Sequence, residues 1–94
     1  MLNSTTTVST GFASKYVSQL CKHFGHKTPV RHEGDDGEIQ FEFGSAELKA
    51  TDQSLEMIAR ALTAAELSRT EEVVGAHLER FAFRENISLE WVRT

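Results

Sequence analysis

The stretch "EIQFEF" (residues 38–43) alternates polar and apolar residues without a break. Its three apolar members, Ile39, Phe41 and Phe43, would share one face of an extended chain and point into the core. The stretch "AELKA" (46–50) alternates in the same way after the glycine at position 44. A period of two is typical of antiparallel strands that have one buried face and one solvated face. The two stretches therefore predict a pair of antiparallel strands at the centre of the chain.

Further strands are predicted on both sides of this pair. Four stretches have the composition or alternation of strands: "STTTVS" (4–9), "PVRHE" (29–33), "LEMIARAL" (55–62) and "ISLEWV" (87–92). The segment 55–62 fits a helical period as well, but the spacing of the turns before it favours a strand. "GDDG" (34–37) predicts a hairpin turn in which the Asp-Gly pair supplies the positive φ.

The first predicted helix places Ala13, Val17, Leu20 and Phe24 on one face, with Tyr16 and Cys21 at its flanks. Thr10 is the expected N-cap, and Gly25 is the expected C-terminal glycine in the left-handed conformation. Pro29 then prevents the helix from continuing.

The second predicted helix opens with a capping box formed by Thr63 and Glu66. Its buried stripe is Leu67, Val74, Leu78 and Phe81, and it is expected to end near Arg84 to Asn86. Phe83 would point away from that stripe on an ideal helix. Either the helix ends before Phe83, or Phe83 reaches a second apolar surface.

These elements predict one α+β domain over residues 1–94, in the order β-α-β-β-β-β-α-β. Its antiparallel sheet would have five to six strands, with both helices packed on one face. With 94 residues, the chain is long enough for one small hydrophobic core.

Composition limits the class of protein. No apolar run approaches the length of a membrane span, and a net charge of −4 argues against nucleic acid as the default partner. The only cysteine, Cys21, excludes an internal disulfide, which fits a cytoplasmic location. The glycine-rich phosphate loops and hydrolase signatures that would mark common enzymes are absent. We assign no catalytic residue.

The stretch "LCKHFGHK" (20–27) carries the cysteine and two of the four histidines. Cys21, His23, His26 and the distant His77 are candidate ligands for zinc or iron. Helical geometry opposes such a site, because Cys21 and His23 lie ~160° apart around the axis. The simpler interpretation is a basic helix end that complements the helix dipole. No cofactor is expected.

A groove between the two helix ends is the third interpretation. His77, Arg80 and Arg84 lie along one edge of the second helix and would face His23, His26 and Lys27 of the first, with Phe83 as a wall. Such a groove suits a carboxylate or phosphate. The alternative is that Arg80 and Arg84 are solvated and pair with Glu79 or Glu85.

Three motifs together, "QLCKHFGHK", "FEFG" and "HLERFAFRE", resemble a small bacterial family, number 2218 in the series of domains of unknown function. The resemblance runs from about Thr7 to Trp91 and implies no activity. It implies a link to iron handling, since some relatives occur joined to or beside siderophore-interacting flavoproteins.

The leading hypothesis is a non-enzymatic binding module for a small anionic or iron-chelating ligand, or for a flavoprotein reductase. Its ligand-binding residues would be His23, His26, Lys27, His77, Arg80, Phe83 and Arg84. The alternatives are a metal- or histidine-dependent small enzyme and a structural homodimer without a ligand.

Overall fold

The computed structural model describes all residues from 1 to 94 and confirms the predicted α+β architecture. The helices are α1 (Ala13–Phe24) and α2 (Ala64–Phe81), and a single 3₁₀ turn (Phe83–Glu85) follows α2. The strands are β1 (Leu2–Ser9), β2 (Val30–Glu33), β3 (Asp36–Gln40), β4 (Ser45–Ala50), β5 (Ser54–Ala61) and β6 (Val92–Arg93). Neither helix has the length and apolar character needed to cross a membrane.

The six strands form one antiparallel sheet in the order β2-β3-β4-β5-β1-β6. The N-terminal strand β1 is inserted between β5 and β6, and it pairs with β5 from Leu2↔Ala61 to Ser9↔Ser54. The segment 55–62, which had two possible periods, is therefore mainly strand. Long-range pairing on both sides of β5 decides this, because it satisfies backbone groups that a helix would have satisfied locally.

Both helices cover the same face of the sheet. Alternate residues of the strands, such as Ile39, Leu48 and Met57, are fully buried in one cluster with residues of both helices. Leu20 of α1 and Leu78 of α2 are also fully buried there. The predicted stripes of both helices are confirmed, although their last aromatic residues remain half-buried.

The ends of α1 differ from the prediction. Phe12 occupies the N-cap position, and the Thr10 hydroxyl accepts a hydrogen bond from the Phe12 N–H at 3.0 Å, just outside the helix. Gly25 keeps right-handed helical angles (φ −63°, ψ −15°) and its N–H donates to the Cys21 carbonyl. The chain thus leaves α1 without a left-handed glycine.

The β2–β3 hairpin exists, but a different residue supplies its positive φ. Gly34 has φ +58°, whereas Asp36 and Gly37 already pair with β2. Gly37 is required for a different reason: a Cβ there would lie 2.6 Å from the Cys21 Sγ. The glycine lets α1 approach the sheet closely.

Two predicted strands are shorter than expected. β3 ends at Gln40, and the Phe41 N–H then donates to the Gly44 carbonyl at 2.7 Å, so Phe41 and Phe43 lie in a turn. At the C-terminus only Val92–Arg93 pairs with β1. The preceding residues Ile87, Leu89 and Trp91 pack against the core without joining the sheet. Alternation predicted their burial correctly but not their pairing.

The second helix confirms the capping box and settles the position of Phe83. The Thr63 hydroxyl accepts from the Glu66 N–H at 3.2 Å. α2 ends at Phe81, earlier than the expected end near Arg84 to Asn86, and Asn86 turns the chain with φ +52°. Phe83 therefore leaves the helical register and points into solvent.

Candidate ligand-binding site

The end of α1 meets the last turns of α2 through two histidines. The imidazole rings of His23 and His77 lie 4.7 Å apart, with an angle of 42° between their planes. Nδ1 of His77 donates a hydrogen bond to the carbonyl of Val73 at 2.8 Å, since a carbonyl can only accept. This bond fixes the orientation of His77 and leaves its Nε2 without a hydrogen-bond partner in the fold.

The electrostatic environment keeps His23 neutral. Burial, followed by the positive charges of His77, Arg80, His26 and Lys27, lowers the pKa of His23. A histidine with a lowered pKa carries no charge at neutral pH, so one of its ring nitrogens donates a hydrogen bond and the other accepts one. His23 is therefore suited to hydrogen bonding with a ligand, while the formal charge at this site comes from the neighbouring lysine and arginines.

A cavity of about 540 Å³ opens beside this histidine pair. We call it the aromatic cavity; its walls come from the end of α1, the turn after β3 and one residue of α2. Its lining residues are His23, Phe24, His26, Lys27, Thr28, Phe41, Phe43 and Val73. The volume is within the range of small-molecule sites.

The walls of the aromatic cavity are ordered by ring contacts. Phe41 and Phe43 stack in parallel, with centroids 5.1 Å apart and 6° between planes. Phe24 meets Phe41 edge-on at 5.1 Å and meets His77 at 4.8 Å. The guanidinium of Arg69 lies 4.2 Å from the centroid of the Phe43 ring. These contacts fix a planar apolar wall beside a basic rim.

Sequence reasoning missed the phenylalanines and Arg69. Phe41 and Phe43 were assigned to the core because they continue the alternation of β3. The turn that begins after Gln40 instead moves them to the rim of the sheet, where they are only half-buried. The available signal was Gly44, which predicted a turn directly after Phe43.

The predicted groove is divided. The structure brings His23, His26 and Lys27 to the aromatic cavity, places His77 in contact with His23, and leaves Arg80 close enough for its charge to act on His23. Phe83 and Arg84 line a different cavity, and Arg84 lies 5.5 Å from the centroid of the Phe83 ring.

Phe81 lies between the two cavities. Its ring contacts His23 at 5.9 Å between centroids, and it also lines the cavity that holds Phe83 and Arg84. Arg80 and Arg84 are exposed, as the alternative interpretation predicted, but neither forms an ion pair with Glu79 or Glu85.

The fold and sequence are shared with known proteins. The family model described as "Uncharacterized protein conserved in bacteria (DUF2218)" matches residues 5–92. The chain belongs to the DUF2218 family. The NMR structure of PA4090 from Pseudomonas aeruginosa is similar, with 36% identity, a TM-score of 0.85, and coverage of 98% of this chain and 96% of that one. No functionally curated protein matches the sequence.

Cys21 of this DUF2218 protein does not join the histidines. Its side chain is buried and faces Gly37 under α1, whereas His23 faces α2. No group of three or more histidine, cysteine or acidic side chains is arranged to hold a metal ion. The packing of α1 thus separates Cys21 from His23, whose ring lies beside that of His77.

The Cys21 thiol is expected to be unreactive in the native DUF2218 protein. Burial raises its pKa, so the reactive thiolate is scarce and a reagent cannot reach the sulfur. We expect Ellman's reagent to label Cys21 at least ~100-fold more slowly in buffer than in urea. Because there is one cysteine, the signal is unambiguous. Equal rates in the two solvents would place Cys21 at the surface.

Proposed function

We propose that this protein is a non-enzymatic cytoplasmic binding module that holds a small planar aromatic anion in the aromatic cavity. Aromatic carboxylates and catecholates, including those that chelate iron, belong to this class. The observation that carries the proposal is the combination of a stacked phenylalanine wall with an unpaired basic rim around one cavity.

The wall favours a flat ligand. Aromatic rings gain from offset or edge contacts with other rings, about 0.5–1.5 kcal/mol beyond area burial. Phe41 and Phe43 are already stacked and Phe24 stands perpendicular to Phe41, so a ligand ring can meet a face and an edge together. Because the rings already contact one another without a ligand, their side chains lose less conformational entropy on binding.

The rim favours a negative ligand. Lys27 lines the aromatic cavity, the Arg69 guanidinium lies over the Phe43 ring, and the charge of Arg80 acts on His23. None of these three cations takes part in an ion pair. Charge-assisted hydrogen bonds to an oxyanion are stronger than bonds between neutral groups. His23 adds a neutral hydrogen-bonding group beside the cations.

The link to iron rests on the ligand, not on metal-binding side chains. Catecholate and related chelators surround ferric iron with aromatic oxygen donors and carry net negative charge, so they match both wall and rim. The resemblance to proteins found beside siderophore-interacting flavoproteins supports this choice. In this role the module would present the chelate to a flavoprotein reductase.

Binding of 2,3-dihydroxybenzoate and of its ferric complex tests the proposal. Isothermal titration should give saturable binding that Lys27→Gln weakens about threefold, since one exposed charge pair is worth roughly 0.2–1 kcal/mol. Phe43→Leu should weaken it about tenfold, because stacking and the Arg69 contact are both lost. Each variant should keep its native circular dichroism.

The matched control is Lys22→Gln, because Lys22 lies in the last turn of α1, five residues before Lys27, and lines neither cavity. Its affinity should equal that of the parent protein. The proposal is wrong if neither ligand binds, or if Lys22→Gln weakens binding as much as Lys27→Gln. Cyclohexanecarboxylate, which lacks a flat ring, should bind at least about fivefold more weakly than benzoate.

A further inference from the structure

A second cavity, of about 340 Å³, lies between the start of α1 and the 3₁₀ turn after α2. It is separate from the aromatic cavity, and the two share no lining residue. Two exposed phenylalanines flank it: Phe12 is 56% exposed and Phe83 is 70% exposed. Large aromatic side chains held in water beside a cavity are a feature of binding surfaces.

Hydrogen bonds fix the floor of the second cavity. Glu85 accepts hydrogen bonds from the hydroxyls of Tyr16 and Thr10, the latter at 2.8 and 2.9 Å. Both donors are neutral, so this network holds the 3₁₀ turn against α1 without an arginine or lysine. The positively charged side chains that line the cavity therefore take no part in this hydrogen-bond network.

Those charges belong to Lys15 and Arg84. Neither takes part in an ion pair, and Arg84 rests beside the Phe83 ring at 5.5 Å instead of on Glu85. With two cations and one carboxylate, the lining has a net positive charge. The anionic group of a ligand can bind both cations while an apolar part of the same ligand contacts the phenylalanines.

We infer that the second cavity binds an amphipathic carboxylate, with its anionic head between Lys15 and Arg84 and its apolar body between Phe12 and Phe83. The charge complementarity and the two exposed rings define this chemistry jointly. An entirely apolar ligand would leave the cations unpaired, and a fully hydrophilic anion would leave the rings in water. This site does not depend on the proposed function of the aromatic cavity.

Sodium octanoate is the probe, followed by ¹H–¹⁵N chemical-shift mapping and isothermal titration on the full chain. We expect the largest shifts at the start of α1 and in the 3₁₀ turn. The double variant Lys15→Gln/Arg84→Gln should raise the Kd about tenfold, from two partly exposed charge contacts. Phe83→Ser should raise it about fivefold through lost apolar contact. Octanol, which has no charge, should bind about tenfold more weakly than octanoate.

Two controls separate this site from the aromatic cavity. Lys22→Gln and Lys27→Gln should leave octanoate affinity unchanged, because neither lysine lines the second cavity. Octanol binding as tightly as octanoate, or shifts clustered around Phe43, would overturn the inference. So would a dimer at micromolar concentration that the double variant Phe12→Ser/Phe83→Ser converts to monomer, since a second copy would then be the occupant.

Discussion

Gly44→Ala is expected to lower the free energy of unfolding by roughly 3 kcal/mol, the upper part of the range for overpacking a close contact. A Cβ at this position would lie 2.5 Å from the carbonyl oxygen of Arg60 and 3.3 Å from the Cβ of Ala61, and it would overlap the Thr70 hydroxyl. Backbone atoms of a central strand cannot move aside cheaply. The φ of Gly44 is not positive, so the penalty is steric and not conformational.

Urea unfolding followed by circular dichroism measures this effect, and the thermal midpoint should fall by more than about 10 °C for a domain of this size. The matched control is Gly11→Ala, where a Cβ would have no neighbour within 4 Å. That variant should change stability by less than about 0.5 kcal/mol. The double variant Gly44→Ala/Thr70→Ala should recover only part of the loss, because the overlap with the Arg60 carbonyl remains.

An equal loss in Gly11→Ala and Gly44→Ala would contradict the close approach at Gly44. The destabilisation should also disturb the aromatic cavity. The Gly44 carbonyl accepts the Phe41 N–H and so closes the turn that carries the phenylalanine wall.

Tyr16 is expected to lose its proton only near pH 12, and the fold should weaken as it does. Burial first, then hydrogen bonding to Glu85 and the negative charge of Glu85, raise the pKa of Tyr16 from 10.0 to about 12. A pKa raised in the folded state means that this stabilisation is complete below pH 10 and is lost as the pH rises towards 12. A shift of this size corresponds to about 2–3 kcal/mol.

Ultraviolet absorbance of tyrosinate measures the titration, and its assignment is certain because Tyr16 is the only tyrosine. In urea the midpoint should return to about 10. Glu85→Gln keeps an acceptor but removes the charge, so its midpoint should lie below that of the parent. Glu85→Ala removes both and should lie lower still. Glu90→Gln, an exposed acid without a hydrogen-bond partner in the fold, should leave the midpoint unchanged.

A native midpoint of about 10 in the parent protein would show that Tyr16 is solvated and that Glu85 does not accept a hydrogen bond from its hydroxyl. A midpoint near 12 that survives Glu85→Ala would assign the shift to burial alone. Either result would contradict the Tyr16–Glu85 hydrogen bond at the floor of the second cavity.

The candidate site shows where local patterns stop being informative. Helical periodicity placed His23 and His77 at the ends of two helices, and it separated Cys21 from His23 correctly. It could not show that Phe81 lies between two cavities, or that the early end of α2 places Phe83 and Arg84 at the second one. That division depends on where the helix stops, which reflects the packing of the 3₁₀ turn on Thr10 and Tyr16.

The sequence by itself determined the class of fold, the order of the elements and most of the core. Alternation and helical stripes record which face of each element is apolar, and burial follows from that. Only the tertiary structure decided that Phe41 and Phe43 leave the sheet to form one wall of the aromatic cavity, and that the cationic residues lie at two cavities. These features depend on pairing and contacts between residues far apart in the chain, which no local period encodes.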